Sequence, residues 1–323
     1  MQRPPRARVR PVLAMADAAR IRYLPPMRDV VLPEGLELVV QARPRDLGGG
    51  FMVGRVLPAP QRRLVGPFIF FDHMGPVDMP PGTGTDVRPH PHIGLATVTY
   101  LFAGELFHRD SLGSAQAIRP GDVNWMIAGR GIVHSERTAP EPRRTGQFLH
   151  GIQAWVAVPT EREEDAPAFF HHPVASLPTI ARPGAELRLI AGNAYGETSP
   201  VVVGSPTFYV DAVLEANANL ALPEEHAERA CYVVTGAVRV AGHTFGERSL
   251  LIAKPGERVA IEAVRESRVM LLGGAHLHGE RHINWNFVSS SRARIDQARE
   301  DWKERRFPLV PGDEVEFIPL PDP

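Results

Sequence analysis

Short runs in which hydrophobic and polar residues alternate recur along most of the chain. Gln147 to Val158 shows this period of two, which is typical of β-strands with one buried face, and Leu36 to Val40 is a plausible first strand. Glycine and proline, with 29 and 32 residues in a chain of 323, separate the runs. Short strands divided by frequent turn residues predict an all-β architecture.

One stretch near the C-terminus departs from this period and predicts a helix from Ser289 or Ser290 to about Arg306. Ser291 is a suitable N-cap, because its hydroxyl can accept a hydrogen bond from a free amide of the first turn. Phe307-Pro308 is expected to end the helix. Three residues at positions i, i+3 and i+7 give it an apolar face: Ile295, Ala298 and Trp302.

Composition and periodicity divide the chain into five segments, and its length is sufficient for two domains. Residues 1–29 are rich in Arg and Pro and are expected to form a disordered tail. A first β domain is predicted over 30–160, a connector over 161–200 and a second β domain over 201–275. Residues 276–323 contain a loop, the predicted helix and a Pro-rich tail.

The charge balance and the cysteine count exclude several classes of protein. The chain has 36 Lys and Arg against 37 Asp and Glu, so no basic surplus indicates direct nucleic-acid binding. No apolar run approaches the ~18–20 residues that a membrane helix needs, so we expect no membrane association. Cys231 is the single cysteine, which excludes an intrachain disulfide and fits a cytoplasmic protein.

Two pairs of potential metal ligands have a spacing of two residues. His90 and His92 form the first pair, and His134 and Glu136 form the second. In a strand, residues i and i+2 point to the same face, so the members of each pair can face one way together. If the two strands face each other across a barrel, three imidazoles and a carboxylate meet at one point. This donor set suits a divalent metal such as iron, with positions left open for water or substrate.

Longer motifs around these residues resemble the pirin branch of the cupins. They read FDHMGP at Phe71–Pro76, PHPHIGLATVTYLFAGEL at Pro89–Leu106 and PGDVNWMIAGRGIVHSE at Pro120–Glu136. The segment HINWNFVSSSRARIDQAREDW at His282–Trp302 is also similar to bacterial pirins. The resemblance covers roughly residues 30–310. It implies a bicupin, with two jelly-roll-like β-barrels in tandem and a short C-terminal helix.

The resemblance also implies one Fe(II) site in the N-terminal barrel. Many cupins place a glutamate four or five residues after the second histidine, but Ala96 and Thr97 occupy those positions here. The carboxylate then comes from the second motif, as in pirins, and the implied ligands are His90, His92, His134 and Glu136. The same donors can also take Mn, Co, Ni, Cu or Zn, since affinity in such sites does not by itself select iron.

The sequence leaves two functions open. Some bacterial pirins resemble quercetin 2,3-dioxygenases, which open a flavonol ring with O₂; a small-molecule substrate is then expected, with Glu136 as both ligand and catalytic base. Eukaryotic pirins look like metal-dependent redox sensors in transcription complexes, which implies a protein partner and no catalysis. Fold and site do not decide between these functions.

The second β domain is interpreted as a diverged repeat of the first. Tyr100–Gly104 aligns with Tyr232–Gly236, and Gly121 aligns with Gly246. This alignment sets four residues opposite the proposed ligands: Leu222, Glu224, Val259 and Ile261. Glu224 alone among them is of a metal-binding type, so the repeat predicts one filled site and one empty site.

Other residues have weaker predicted roles. Asp72, His73 and Gln153 are candidates for orienting the ligand histidines. Four aromatic residues can either line a pocket or belong to the core: Phe68, Phe70, Phe71 and Trp125. Three histidines after the second barrel form another ligand-like group, but surface or capping roles are favoured for them: His276, His278 and His282.

Overall fold

The structure of the chain is a computed structural model, which describes residues 32–47 and 51–321. The predicted disordered tail at 1–29 lies outside the described residues. Within these described ranges the chain forms 25 strands, as expected for an all-β protein. The first twelve are β1 (Leu36–Gln41), β2 (Arg43–Asp46), β3 (Met52–Leu57), β4 (Phe68–Met79), β5 (Asp86–His92), β6 (Leu95–Ala103), β7 (Leu106–Asp110), β8 (Ala115–Ile118), β9 (Val123–Ile127), β10 (Ile132–Arg137), β11 (Gln147–Ala157) and β12 (Ala168–His172).

The remaining strands form most of the second barrel and a separate C-terminal hairpin. They are β13 (Thr179–Arg182), β14 (Ala185–Ala194), β15 (Glu197–Thr198), β16 (Thr207–Leu214), β17 (Asn219–Ala221), β18 (Glu228–Thr235), β19 (Ala237–Val240), β20 (His243–Gly246), β21 (Ser249–Ala253), β22 (Ala260–Ala263), β23 (Ser267–Gly274), β24 (His282–Asn284) and β25 (Phe287–Ser289). Two α-helices are present in the described residues, α1 (Pro140–Thr145) and α2 (Arg292–Lys303).

Each barrel is built from one large sheet and one small sheet. In the N-terminal barrel, a seven-stranded sheet with the order β12-β9-β6-β11-β4-β3-β2 accompanies a four-stranded sheet with the order β5-β10-β7-β8. The C-terminal barrel repeats this plan with the large sheet β1-β21-β18-β23-β16-β14-β13, to which β15 is added through β14, and the small sheet β17-β22-β19-β20. The fold is therefore the bicupin that the motifs implied.

The two barrels pack through their large sheets, and aromatic side chains from both form one shared core. The ring of Phe71 lies 5.0 Å from the ring of Tyr232, and Phe68 lies 5.3 Å from Tyr209. Three of the four aromatic residues for which the sequence left pocket and core roles undecided are fully buried in this core: Phe68, Phe71 and Trp125. They are therefore core residues.

Two segments belong to the C-terminal barrel although the predicted domain limits placed them elsewhere. Strand β1, assigned to the 30–160 domain, is hydrogen-bonded to β21, with Val39 opposite Leu251. Strands β13 and β14, assigned to the 161–200 connector, extend the same sheet through β16. Periodicity identifies a strand but not its partner, because the partner is set by which sheet edge the folded chain leaves free.

The C-terminal helix is the element that the sequence located best. Helix α2 begins after Ser291, whose hydroxyl accepts a hydrogen bond from the Arg294 amide at 3.3 Å, so the predicted N-cap is confirmed. The predicted apolar face is also buried, as Ile295, Ala298 and Trp302 show. The helix ends at Lys303, three residues before the predicted limit. Among the described residues, no helix has the length and apolar character needed to cross a membrane.

Candidate metal centre

The proposed ligands lie on two neighbouring strands of the small N-terminal sheet. Strands β5 and β10 pair in antiparallel register, which sets His134 directly opposite His90. The register of the two strands shifts between His134 and Glu136. Glu136 therefore does not continue the regular cross-strand pairing that sets His134 opposite His90. All four side chains are at most 8% exposed.

Three of the four predicted ligands converge. One ring nitrogen from each of His90, His92 and His134 lies within 4.8 Å of the others. The Nε2 atoms of His92 and His134 are 3.2 Å apart. Two nitrogens bound at about 2.1 Å to one ion, at right angles, would be about 3.0 Å apart. The spacing of these two imidazoles therefore fits a shared metal ion.

Burial keeps these imidazoles in the neutral form that binds metals. It lowers the pKa of His90 to about 4, and it lowers the pKa values of His92 and His134 well below the ordinary value of 6.5. The neighbouring imidazoles lower the pKa values of His92 and His134 further. A neutral imidazole has a free lone pair on one nitrogen, which is the donor that a metal requires.

Backbone carbonyls fix which nitrogen of the first pair carries its proton. His90 Nδ1 donates to the Arg88 carbonyl oxygen at 2.8 Å, and His92 Nδ1 donates to the Asn286 carbonyl oxygen at 3.1 Å. Because Nδ1 holds the proton in both rings, the Nε2 lone pairs are left free. Such hydrogen bonds also orient a ligand ring and raise its basicity.

Glu136 belongs to a second group rather than to one four-residue point. Its carboxylate lies with His134 and His108, with the ligand atoms of the three within 4.8 Å of one another. The Thr99 hydroxyl lies 2.7 Å from Glu136 Oε1 and 2.8 Å from Gln153 Oε1, and its single proton can go to only one of them. Burial raises the pKa of Glu136, although the Thr99 hydrogen bond and His108 oppose this effect.

His108 is the residue at the centre that the sequence analysis missed. On strand β7 it lies opposite Glu136, and Asp110 on the same strand lies opposite His134. His108 Nε2 donates to Asp110 Oδ2 at 3.0 Å, and its Nδ1 atom lies 3.4 Å from His134 Nδ1. The signal was present as a His-x-Asp pair in a short strand, with the same spacing of two as the predicted ligand pairs.

The three candidates for orienting the ligands have different surroundings. Gln153 reaches Glu136 through Thr99, as described above, and so lies at the centre. Asp72 forms a two-point ion pair with Arg55, with contacts of 2.7 and 2.9 Å. His73 faces the other barrel and contacts Tyr232 and His150, because adjacent residues of a strand point to opposite faces.

A cavity of about 390 Å³ opens beside the centre, and His90, His92 and Glu136 form part of its wall. Aromatic side chains cover a further part of it, with Phe70 stacked on Trp155 at 4.0 Å. The guanidinium of Arg55 lies over the Phe70 ring, 4.4 Å from its centroid. Phe70 is thus the one residue of the four predicted pocket aromatics that lines this cavity.

The other ligand-like histidines do not form a comparable group within the described part of the chain. His276 contacts the carboxylate of Glu228 at 2.6 Å, and the rings of His276 and His278 are 5.6 Å apart. His282 lies 3.4 Å from Glu280. The exposure of His276 agrees with the surface role that the sequence favoured for this group over metal binding.

The C-terminal barrel has apolar side chains where the repeat places the ligands. The Leu222 amide donates to the Val259 carbonyl oxygen at 2.9 Å, and Leu220 lies opposite Ile261, so the strand pair corresponds to β5 and β10. Leu222, Val259 and Ile261 are at most 4% exposed. Glu224 lies at the surface, where it pairs with Arg258 at 3.1 Å.

Comparison with known proteins agrees with this architecture. A sequence model of the family described as Pirin matches residues 50–156, and one described as the Pirin C-terminal cupin domain matches residues 209–308. A pirin-like protein of Caulobacter vibrioides is 53% identical over 290 residues, which cover 89% of this chain and 100% of that protein. The chain belongs to the pirin family.

Solved structures of related proteins share the pirin fold. The crystal structure of a quercetin 2,3-dioxygenase from Acinetobacter baumannii superposes with a TM-score of 0.82 at 35% identity, covering 88% of this chain and 95% of the other. A bacterial pirin from Escherichia coli, YhhW, solved in complex with nickel(II), gives a TM-score of 0.58 at 19% identity, covering 75% of this chain and 99% of that one. The second likeness shows the fold alone.

Proposed function

We propose that this pirin is a metal-dependent dioxygenase of the quercetin 2,3-dioxygenase type, acting on a flavonol or a related enolic substrate. The observation that carries the proposal is that two of the three converging imidazoles, His90 and His92, line one cavity of about 390 Å³ together with Glu136. A group of potential metal ligands beside an aromatic-lined cavity has the features expected of a small-molecule binding site. The 35% sequence identity to the Acinetobacter quercetin 2,3-dioxygenase supports the proposed reaction type.

The metal is proposed to be one Fe(II), held by His90, His92 and His134, with Glu136 as the fourth ligand because it shares the second group with His134. The donors fit a divalent ion, because the imidazoles are neutral and two of their Nε2 atoms are 3.2 Å apart. A bound divalent ion would supply Lewis-acid chemistry at an enolic oxygen. Nitrogen and oxygen donors also accept Mn, Co, Ni, Cu or Zn, so iron is part of the proposal.

The residues of the chain supply the remaining parts of the proposed reaction. The Phe70 and Trp155 rings offer an apolar wall for a planar substrate. Glu136 is proposed to take the proton of the substrate hydroxyl, since its carboxylate lies in the cavity beside the histidines. The Thr99 hydroxyl, 2.7 Å from Glu136, holds that carboxylate in place. We place this reaction in the cytoplasm, in line with the single cysteine, Cys231.

The proposal is tested by O₂ uptake on a panel of flavonols. Protein purified without O₂ and loaded with Fe(II) should consume O₂ when a flavonol is added, and metal-free protein should not. His134→Ala, which removes the histidine common to both ligand groups, should behave like the metal-free protein. If the loaded wild type consumes no O₂ with any flavonol although it holds its metal, the dioxygenase proposal is wrong. The non-catalytic sensor with a protein partner is then the better hypothesis.

A further inference from the structure

The segment His282–Ser289, whose motif the ligand set does not use, lies against the N-terminal metal centre. It forms the hairpin of β24 and β25, about 190 residues after the ligand strand β5. Ile93 and Phe287 form an isolated parallel bridge, and the Val288 amide donates to the Ile93 carbonyl oxygen at 3.2 Å. The hairpin is thereby attached at the residue that follows His92.

Gly94 allows this close approach. It has a φ of +66°, and a Cβ at this position would lie 2.0 Å from the Val288 carbonyl oxygen. Any other residue would therefore push the hairpin away from the strand. The Asn286 carbonyl oxygen, which accepts from His92 Nδ1 at 3.1 Å, is the hairpin's direct contact with the centre.

Trp285, beside Asn286, has a backbone conformation that is unfavourable for its type. Its φ is +53°, in the left-handed region that a bulky residue rarely adopts. Such a conformation persists where the surrounding structure determines it, and it is found most often at functional positions. The indole lies edge-on to Phe287, with ring centroids 5.5 Å apart, and it lines the cavity of the metal centre.

The helix and the C-terminal tail support the same wall. Ile318 also lines the cavity. It is held by its amide, which donates to the Pro89 carbonyl oxygen at 2.8 Å, and by its carbonyl oxygen, which accepts from Trp302 Nε1 at 3.0 Å. Arg137 on β10 pairs with Asp313 at 2.7 Å and with Glu316 at 2.9 Å, which holds the tail against the ligand strand.

From these contacts we infer that Trp285 is a specificity-determining residue, which contacts the substrate and limits its size in the cavity of the N-terminal barrel. The inference rests on the proposed function of that cavity. The hairpin contributes a rigid aromatic side chain, and a face of this kind suits a planar aromatic substrate. The C-terminal segment thus completes a site whose metal donors all come from the N-terminal barrel.

The test uses the full chain loaded with Co(II), whose visible spectrum reports the metal centre, and measures quercetin binding in the absence of O₂. Trp285→Gly removes the indole and suits the positive φ, so the backbone should stay in place. Loss of the ring contact should weaken quercetin binding about 10- to 100-fold. The preference should also shift towards flavonols that carry a bulky O-glycosyl group. Trp285→Phe should lie between the wild type and Trp285→Gly.

Two further variants keep the test decisive. Trp285→Ala retains a Cβ and replaces Trp285→Gly if the glycine variant does not fold. His282→Ala lies on the same hairpin outside the cavity lining and is the matched control, with unchanged quercetin affinity expected. Unchanged affinity and unchanged size preference in Trp285→Gly or Trp285→Ala would overturn the inference.

A second readout separates this inference from the proposed function. Removing one wall should open the centre, so EDTA should extract Co(II) severalfold faster from the Trp285→Gly protein than from the wild type or His282→Ala. If the wild type binds no flavonol, the proposed function is wrong. The rate of Co(II) extraction alone then shows whether Trp285 closes the metal centre. An unchanged extraction rate in that case would show that Trp285 does not close the site.

Discussion

The Nδ1 atom of His134 lies 3.4 Å from the Nδ1 atom of His108, and His108 Nε2 donates to Asp110 at 3.0 Å. These hydrogen bonds assign the protons of both rings. Asp110 accepts from His108 Nε2, which keeps its proton, so the unprotonated Nδ1 of His108 accepts from His134 Nδ1. The Nε2 lone pair of His134 is then free, like that of His92, and the two Nε2 atoms are 3.2 Å apart, as expected for two donors to one ion. His108 and Asp110 therefore act as positioning residues for a proposed ligand.

We expect His108→Ala to weaken metal binding by about 10- to 100-fold, the usual effect of losing a partner that orients a ligand. Asp110→Asn should have a smaller effect, because the amide oxygen can still accept from His108. Metal affinity can be measured by competition with a chromophoric chelator. Gln116→Ala is the matched control, since Gln116 lies opposite His108 on the neighbouring strand and bonds to the backbone. Wild-type affinity in His108→Ala would refute the positioning role.

The two barrels should bind one metal ion per chain. The ligand positions of the N-terminal barrel correspond in the C-terminal barrel to the buried apolar residues Leu222, Val259 and Ile261. Glu224 points to solvent and pairs with Arg258. Elemental analysis after reconstitution and desalting should give close to one equivalent, and His134→Ala should reduce that value. A stoichiometry near two that persists in His134→Ala would locate a second ion elsewhere.

Substitution of Glu136 by glutamine should separate metal binding from proton transfer. Glu136→Gln keeps the size of the side chain and removes its charge and basicity. Under the proposed reaction, flavonol-dependent O₂ uptake at saturating Fe(II) should fall by about 10²-fold or more, the usual scale of a general base. The three histidines should still hold the metal, though more weakly.

The neighbouring Gln153 offers the matched control for this substitution. Gln153→Ala removes a contact of Thr99 and leaves the carboxylate of Glu136 in place, so its effect on O₂ uptake should be much smaller. If Glu136→Gln turns over like the wild type while the wild type is active, another group is the base.

Stability should decrease in mild acid because of the buried histidine pair between the barrels. His73 Nε2 and His150 Nε2 are 2.7 Å apart, so one ring donates a proton to a lone pair of the other. Burial lowers the pKa of His150 to about 4 and that of His73 well below 6.5. The unfolded chain therefore takes up protons at a higher pH than the folded protein. The stabilisation is complete above about pH 6.5 and is lost as the pH falls towards 4.

His150→Gln keeps a hydrogen-bonding group beside His73 but does not titrate in this range. The free energy of unfolding of this variant should depend less on pH between about 6.5 and 4, by up to about 1.4 kcal/mol per pH unit. Urea unfolding at a series of pH values gives the slope. His243→Gln, at an exposed histidine, should retain the slope of the wild type. Equal slopes for His150→Gln and the wild type would show that the pair does not control acid stability.

The sequence by itself determined the features that depend on local physical rules. Period-two alternation identified the strands, and the Ser291 cap with its apolar stripe located helix α2 within a few residues. The spacing of two residues was sufficient to predict that His90 and His92 share a face. The loss of ligand types at Leu222, Val259 and Ile261 could also be read directly from the aligned repeat.

Only the tertiary structure decided which distant segments meet. It paired β1 with β21 of the other barrel, and it brought His108 opposite Glu136 on a third strand of the small sheet. It also placed Trp285 and Asn286 at a centre formed about 190 residues earlier in the chain. Contacts of this kind depend on sheet order and on which edges stay free, and a period of two residues contains no information about either.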